Sequence, residues 1–239
     1  MKTETIEYKD GDLNLRGFLA YDENASGKRP GVIVMPEVYG LNEHAKLRAQ
    51  RLAELGYVAL AGDPHGNGTV YPNLQEAMKG AGPLMGDPSV ARNRMKATFD
   101  KLASLPQVDS SRIASIGFCM GGTLSLELAR AGAPLRGVVS FHGGLQTQRP
   151  AEAGSLKAKL LVCTGADDPF VPLAQVNGFI EEVNKAKCDW QVVVYSGTGH
   201  SFTNPDASKA GVPGVAYNQS ADERSWQAMQ SFFTEIFGG

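Results

Sequence analysis

Short apolar runs alternate with amphipathic segments along almost the whole chain. Gly31-Val-Ile-Val-Met35 reads as a strand buried on both faces. Tyr57–Ala61, Arg112–Phe118, Gly137–Phe141, Leu160–Cys163 and Gln191–Tyr195 predict five more strands. Between them, Glu43–Leu55 sets Ala45, Leu47, Leu52 and Leu55 near helical spacing and ends at Gly56, a helix-stop signal. Further helices are predicted over Val90–Leu105, Gly121–Arg130, Leu173–Lys187 and Asp222–Phe237. This alternation implies βαβ crossovers and a mainly parallel sheet with helices on both faces. The start differs: Thr3–Tyr8 and Leu13–Ala20, joined through Asp10-Gly11-Asp12, predict an antiparallel N-terminal hairpin at one edge. Residues 64–88 and 201–219 lack clear periodicity and are rich in Gly, Pro and Asn. Both follow strand ends, where an open parallel sheet binds its ligands, so they are expected to rim a site.

Composition narrows the classes. The 239 residues fit one large domain spanning 1–239, with no linker or repeat. Twenty-three basic against 25 acidic residues give a net charge of −2, which predicts neither a nucleic-acid partner nor an anionic membrane surface. The N-terminus carries charges where a signal peptide needs an apolar run, and no apolar stretch is long enough to span a bilayer. Cys119, Cys163 and Cys188 form neither a Cys-x-x-Cys pair nor an even set, so a reducing, cytoplasmic setting is expected. Monomer and homodimer both remain open.

Candidate chemistry concentrates at three predicted strand ends. Gly117-Phe-Cys119-Met-Gly121 joins a strand to a helix and has the Gly-x-nucleophile-x-Gly form of a nucleophile elbow, with sulfur as the nucleophile. The helix N-terminus behind Cys119 favours negative charge there, and the Met120 N–H is placed to meet an oxyanion. A buried, inert cysteine is the competing reading of this motif alone. Asp168, in Gly165-Ala-Asp-Asp168-Pro, and His200, in Gly197-Thr-Gly-His200, follow later strands. The order nucleophile, acid, base is that of the α/β-hydrolase fold, with His200 accepting the thiol proton and Asp168 orienting the imidazole. Asp167 is the rival acid.

With these residues in view, the chain resembles the dienelactone hydrolase family. The matching stretches are Glu37-Val-Tyr-Gly-Leu-Asn42, Gly117–Gly122, Asp168-Pro-Phe-Val-Pro172 and His200-Ser-Phe202. The resemblance implies an α/β-hydrolase with a Cys119–Asp168–His200 triad that cleaves an ester or lactone; no cofactor is expected, since Gly66-Asn-Gly68 lacks the rest of a dinucleotide fingerprint and no P-loop occurs. It also implies that Glu37 contacts the resting thiol and that the Val38 N–H completes the oxyanion hole with Met120. On residue chemistry alone, Glu37 equally suits a solvated helix-start position.

One feature departs from the family. Its best-known members hold a substrate carboxylate with two arginines, yet the corresponding stretches here, Asp63–Gly68 and Thr203–Asp206, contain none. Arg92 and Arg94 follow on the next helix and read as solvated surface residues. A less acidic ester or lactone therefore fits better than dienelactone. Hydrolysis or acyl transfer on thioesters is the alternative, and a non-catalytic binder or thiol redox sensor a more distant one. His44, His65 and His142 lack metal-ligand spacing, so no metal is expected; His142 reads as structural. Cys163 reads as core, and Cys188 as a surface or helix-end residue.

Overall fold

The computed structural model describes residues 1–238. In chain order it contains β1 (Lys2–Asp10), β2 (Leu13–Tyr21), β3 (Arg29–Met35), α1 (Glu43–Glu54), β4 (Val58–Ala61), α2 (Leu74–Gly86) and α3 (Pro88–Ala103). There follow β5 (Val108–Phe118), α4 (Met120–Arg130), β6 (Gly137–Phe141), β7 (Lys159–Gly165), α5 (Leu173–Lys185), β8 (Trp190–Tyr195) and α6 (Gln219–Phe237).

The eight strands form one sheet in the order β1-β2-β4-β3-β5-β6-β7-β8. The pairings β1–β2 and β2–β4 are antiparallel and all others parallel, so the N-terminal hairpin caps one edge as its alternation predicts. Strands β3, β4, β6 and β7 are buried on both faces along nearly their whole length, whereas the edge strand β8 is only partly buried. One face packs α1 and α6 through Leu52, Trp226 and Phe233, and the other packs α2–α5 through residues such as Met95, Leu124 and Phe179. From β3 the chain winds outward to β4, then crosses back to β5. The winding direction reverses there, leaving a crevice beyond the carboxyl ends of β3 and β5.

Two sequence expectations change. Residues 64–88 are not irregular throughout, because 74–86 form α2. Its helix is hard to read because Gly80, Gly82, Pro83 and Gly86 are poor helix formers and its buried stripe is mostly alanine: Ala77, Ala81 and Leu84. Asn73 starts it by accepting the Glu76 N–H at 2.9 Å. In α1 the buried face is Ala45, Arg48, Ala49, Leu52 and Ala53, while Leu47 and Leu55 point to solvent. An arginine thus lies on the stripe expected to be apolar. The second irregular segment is bound down: the His200 N–H donates to the Gly214 carbonyl, the Ala216 N–H to that of His200 and the Asn218 N–H to that of Phe202.

Candidate active site

The residues flagged along the sequence meet above the carboxyl ends of adjacent parallel strands. Glu37 and Val38 follow β3, Cys119 follows β5, Asp168 follows β7 and His200 follows β8. Cys119 occupies the turn into α4 with φ +52°, a left-handed conformation uncommon for a side chain with a Cβ. The flanking glycines make that turn possible. A Cβ on Gly117 would collide with the Gly121 carbonyl, and one on Gly121 with the carbonyls of Met35 and Pro36.

His200 joins the thiol to the acid. Its Nε2 lies 3.1 Å from Cys119 Sγ and its Nδ1 2.8 Å from Asp168 Oδ2. The other Asp168 oxygen accepts the N–H groups of Phe170 at 2.8 Å and Val171 at 3.2 Å, which locks the carboxylate. Asp168 is buried and Asp167 exposed, so geometry selects Asp168 as the partner of His200. Burial alone would lower the His200 pKa. The negative charge of Cys119 and the Asp168 contact outweigh it and raise the value to about 10. A thiol sulfur 3.1 Å from an imidazole that a buried carboxylate orients has the geometry of a nucleophile beside its base.

Glu37 is only 3% exposed. Its Oε2 accepts the Asn204 Nδ2–H at 2.7 Å and faces His44 Nδ1 at 3.7 Å. Its Oε1 is buried with no hydrogen-bond partner among the described residues. Burial alone would push the Glu37 pKa up; the contacts to His44 and Asn204 and the charge of His200 outweigh it and hold the pKa below the ordinary carboxylate value. The Glu37 side chain therefore bonds Asn204, while the Cys119 sulfur bonds His200. The adjoining turn is fixed at two points. The Gly40 N–H donates to the Glu37 carbonyl at 3.1 Å, and His65 Nε2 lies 2.8 Å from the Val38 carbonyl. Val38 lies three residues beyond the end of β3, and Met120 opens α4 directly after Cys119.

Three further residues belong to the site. His142, at the end of β6, is fully buried with φ +42°. The Cys119 N–H is shared between the Phe141 carbonyl at 3.0 Å and His142 Nδ1 at 3.1 Å; with Nδ1 an acceptor, Nε2 carries the ring proton and donates to Thr203 Oγ1 at 2.9 Å. Burial, helped by the charges of His200, His44 and Arg48, holds the His142 pKa well below the ordinary value, and the ring stays neutral. Arg48 and Asn204 were also unmarked in the sequence. Arg48 offered one signal, a charge in phase with Ala45 and Leu52.

Arg92 and Arg94 are not solvated surface residues. The Arg92 Nε donates to Glu127 at 2.8 Å and its Nη2 to the Arg149 carbonyl at 2.6 Å. Arg94 is buried, with its Nε donating to Asp10 at 2.9 Å and Nη1 to the Pro64 carbonyl. Both guanidinium groups are committed to holding the fold. Cys163 is buried in the core, as its strand predicts, and Cys188 is half-buried just beyond α5.

Known proteins resemble this chain over nearly its whole length. It is 29% identical to a protein of Saccharolobus solfataricus provisionally named a carboxymethylenebutenolidase, covering 97% of this chain and 98% of the relative. A solved dienelactone hydrolase-like promiscuous phosphotriesterase from metagenomic libraries superposes with a TM-score of 0.94 at 43% identity, covering 98% of each chain. An α/β-hydrolase from a deep-sea metagenome superposes with a TM-score of 0.70 at 16% identity, covering 99% of each chain, which establishes the α/β-hydrolase fold. The profile of the dienelactone hydrolase family matches residues 15–237. The chain thus belongs to the dienelactone hydrolase family and is a hydrolase of that kind.

Proposed function

We propose that the protein hydrolyses an uncharged carboxylic ester or lactone through an acyl-cysteine intermediate. The observation that carries this reading is the unbroken Cys119–His200–Asp168 line, with heavy-atom separations of 3.1 Å and 2.8 Å. The Cys119 thiolate attacks the substrate carbonyl carbon. A C–S bond forms, and the carbonyl π pair moves to oxygen, where the Val38 and Met120 N–H groups receive it. Collapse breaks the C–O bond, and the leaving alkoxide takes the proton from His200 Nε2.

Acylation also removes the anion that held the imidazolium charged, so His200 is released as a neutral base. It then takes a proton from water, whose oxygen attacks the thioester carbon. The C–S bond breaks, the acid departs, and the thiolate–imidazolium pair is restored. We assign Glu37 Oε1, buried and without a partner among the described residues, as the acceptor for the Cys119 thiol when it turns away from His200.

Preference for an uncharged substrate follows from the committed arginines. Neither Arg92 nor Arg94 has a free fork for a substrate carboxylate. Exposed Phe170, whose ring centroid is 5.1 Å from that of His200, offers an apolar wall instead. A panel of p-nitrophenyl esters, neutral lactones, a carboxylate-bearing lactone and a neutral phosphotriester tests this preference. Fastest turnover on the neutral carboxylic esters or lactones is expected; a preference for the carboxylate-bearing lactone would overturn it. Rapid-quench mass spectrometry of the ester reaction should show an acyl adduct on Cys119. A Cys119→Ala variant with undiminished esterase activity would rule the mechanism out.

A further inference from the structure

Glu37 lies at the end of a buried polar chain whose charges are costly to bury unless each is held by a partner. The chain starts on α6, where Asp222 Oδ1 accepts Arg48 Nη2–H at 2.7 Å. Arg48, on the buried face of α1, lies with its guanidinium carbon 5.5 Å from the Phe118 ring and 5.2 Å from that of Trp226. From there it grips both partners of Glu37. Its Nε lies 3.1 Å from His44 Nε2, which is also 3.2 Å from the Thr203 carbonyl, and the other ring nitrogen, Nδ1, faces Glu37 Oε2 at 3.7 Å. Its Nη2 also donates to the Thr203 carbonyl at 2.6 Å, fixing the residue before Asn204, whose Nδ2–H reaches the same Oε2.

One guanidinium therefore holds two groups from different parts of the chain beside a single carboxylate oxygen: Asn204 Nδ2–H donates to it, and the His44 ring stands 3.7 Å away. The second oxygen, Oε1, is left without a partner. A structural ion pair between α1 and α6 would need only the Arg48–Asp222 contact. It would not need His44 and Asn204 to converge on Oε2.

We infer that His44 and Arg48, anchored by Asp222, are positioning residues: they clamp Glu37 through Oε2 and present Oε1 to the reaction centre. This inference rests on the proposed catalytic use of Glu37. It assigns no chemistry to His44 or Arg48 themselves.

A double-mutant cycle on the full-length protein tests it, with kcat/KM for a p-nitrophenyl ester as the readout and thermal melts to verify folding. Glu37→Gln and His44→Ala should each lower kcat/KM by about tenfold, and the double variant should fall little further, since residues acting through one contact are non-additive. His44→Asn puts an amide N–H near the place of Nδ1 and should restore most of the lost activity. Arg48→Lys keeps the charge but not the three-way fork, and should behave like His44→Ala. Independent, multiplicative losses, or equal activity in His44→Ala and His44→Asn, would leave Glu37 catalytic and overturn the relay. Undiminished activity in Glu37→Gln would overturn both the relay and the use of Glu37. Should Arg48→Lys not fold, the His44 pair and the Glu37 cycle still decide the matter.

Discussion

The two sides of the crevice are built differently. On the nucleophile side, Cys119, Asp168 and His200 each stand just beyond the end of a parallel strand, positioned by the few residues of a turn. Glycines at 117 and 121 let that turn close, and Asp168 is locked by the two N–H groups that follow it. On the Glu37 side, a carboxylate near residue 40 is held through His44, Arg48, Asn204 and Asp222, and so by α1, the loop after His200 and α6 together. Backbone geometry fixes the first side, whereas side-chain contacts across the tertiary structure fix the second. The first should tolerate little change in backbone or Cβ volume. The second should be sensitive to hydrogen-bond geometry while keeping its fold.

The largest expected effect lies on the nucleophile side. Asp168→Asn keeps the shape but no longer holds the productive His200 tautomer, and kcat should fall by about 10²–10⁴-fold in steady-state assays, with the melting temperature changed far less. A loss comparable to that of Glu37→Gln would erase the distinction between the sides. Gly121→Ala puts a Cβ against the Met35 and Pro36 carbonyls, which are backbone atoms with little room to yield. Urea unfolding should show destabilisation of about 1–3 kcal/mol or more, together with loss of activity.

The His200 charge gives a pH-dependent test. Its folded-state pKa is raised from 6.5 to about 10, against the pull of burial, by Cys119 and Asp168. The folded protein therefore holds this proton more tightly than the unfolded chain does. The contribution to stability is present in full below the unfolded value and is lost as pH rises through the folded one. Melting temperatures of the parent minus those of Cys119→Ala, followed from about pH 6 to about pH 11, should converge on the alkaline side. A flat difference would mean that the thiolate is not what raises His200.

The smallest effect is a control on the elbow. Gly82, inside α2, has open space where an added methyl group would lie, with no atom within 4 Å. Gly82→Ala should stabilise the protein by about 0.5–1 kcal/mol in the same urea assay, the opposite sign to Gly121→Ala. Destabilisation at Gly82 would show that glycine is required in both stretches.

Legibility followed the same division. Fully apolar runs announce buried strands because no other element requires such a run, and the Gly-x-Cys-x-Gly turn announces itself because its geometry tolerates almost nothing else. Helix α2 was hidden because its helical state rests on packing alanines against α3, not on local preference. His142 could be read only as a structural histidine, since its bond to the Cys119 N–H joins two neighbouring strand ends that the sequence separates by 23 positions.

By itself, the sequence determined the strand–helix alternation, the N-terminal hairpin and the order of Cys119, Asp168 and His200, because each depends on periodicity or on a turn a few residues long. Only the tertiary structure decided that Arg92 and Arg94 are committed elsewhere, that Asp168 and not Asp167 faces His200, and that Glu37 has one oxygen bonded by Asn204 and one without a partner among the described residues. Those outcomes depend on which partners a folded core leaves within about 3 Å of a charge, and local sequence carries no record of that distance.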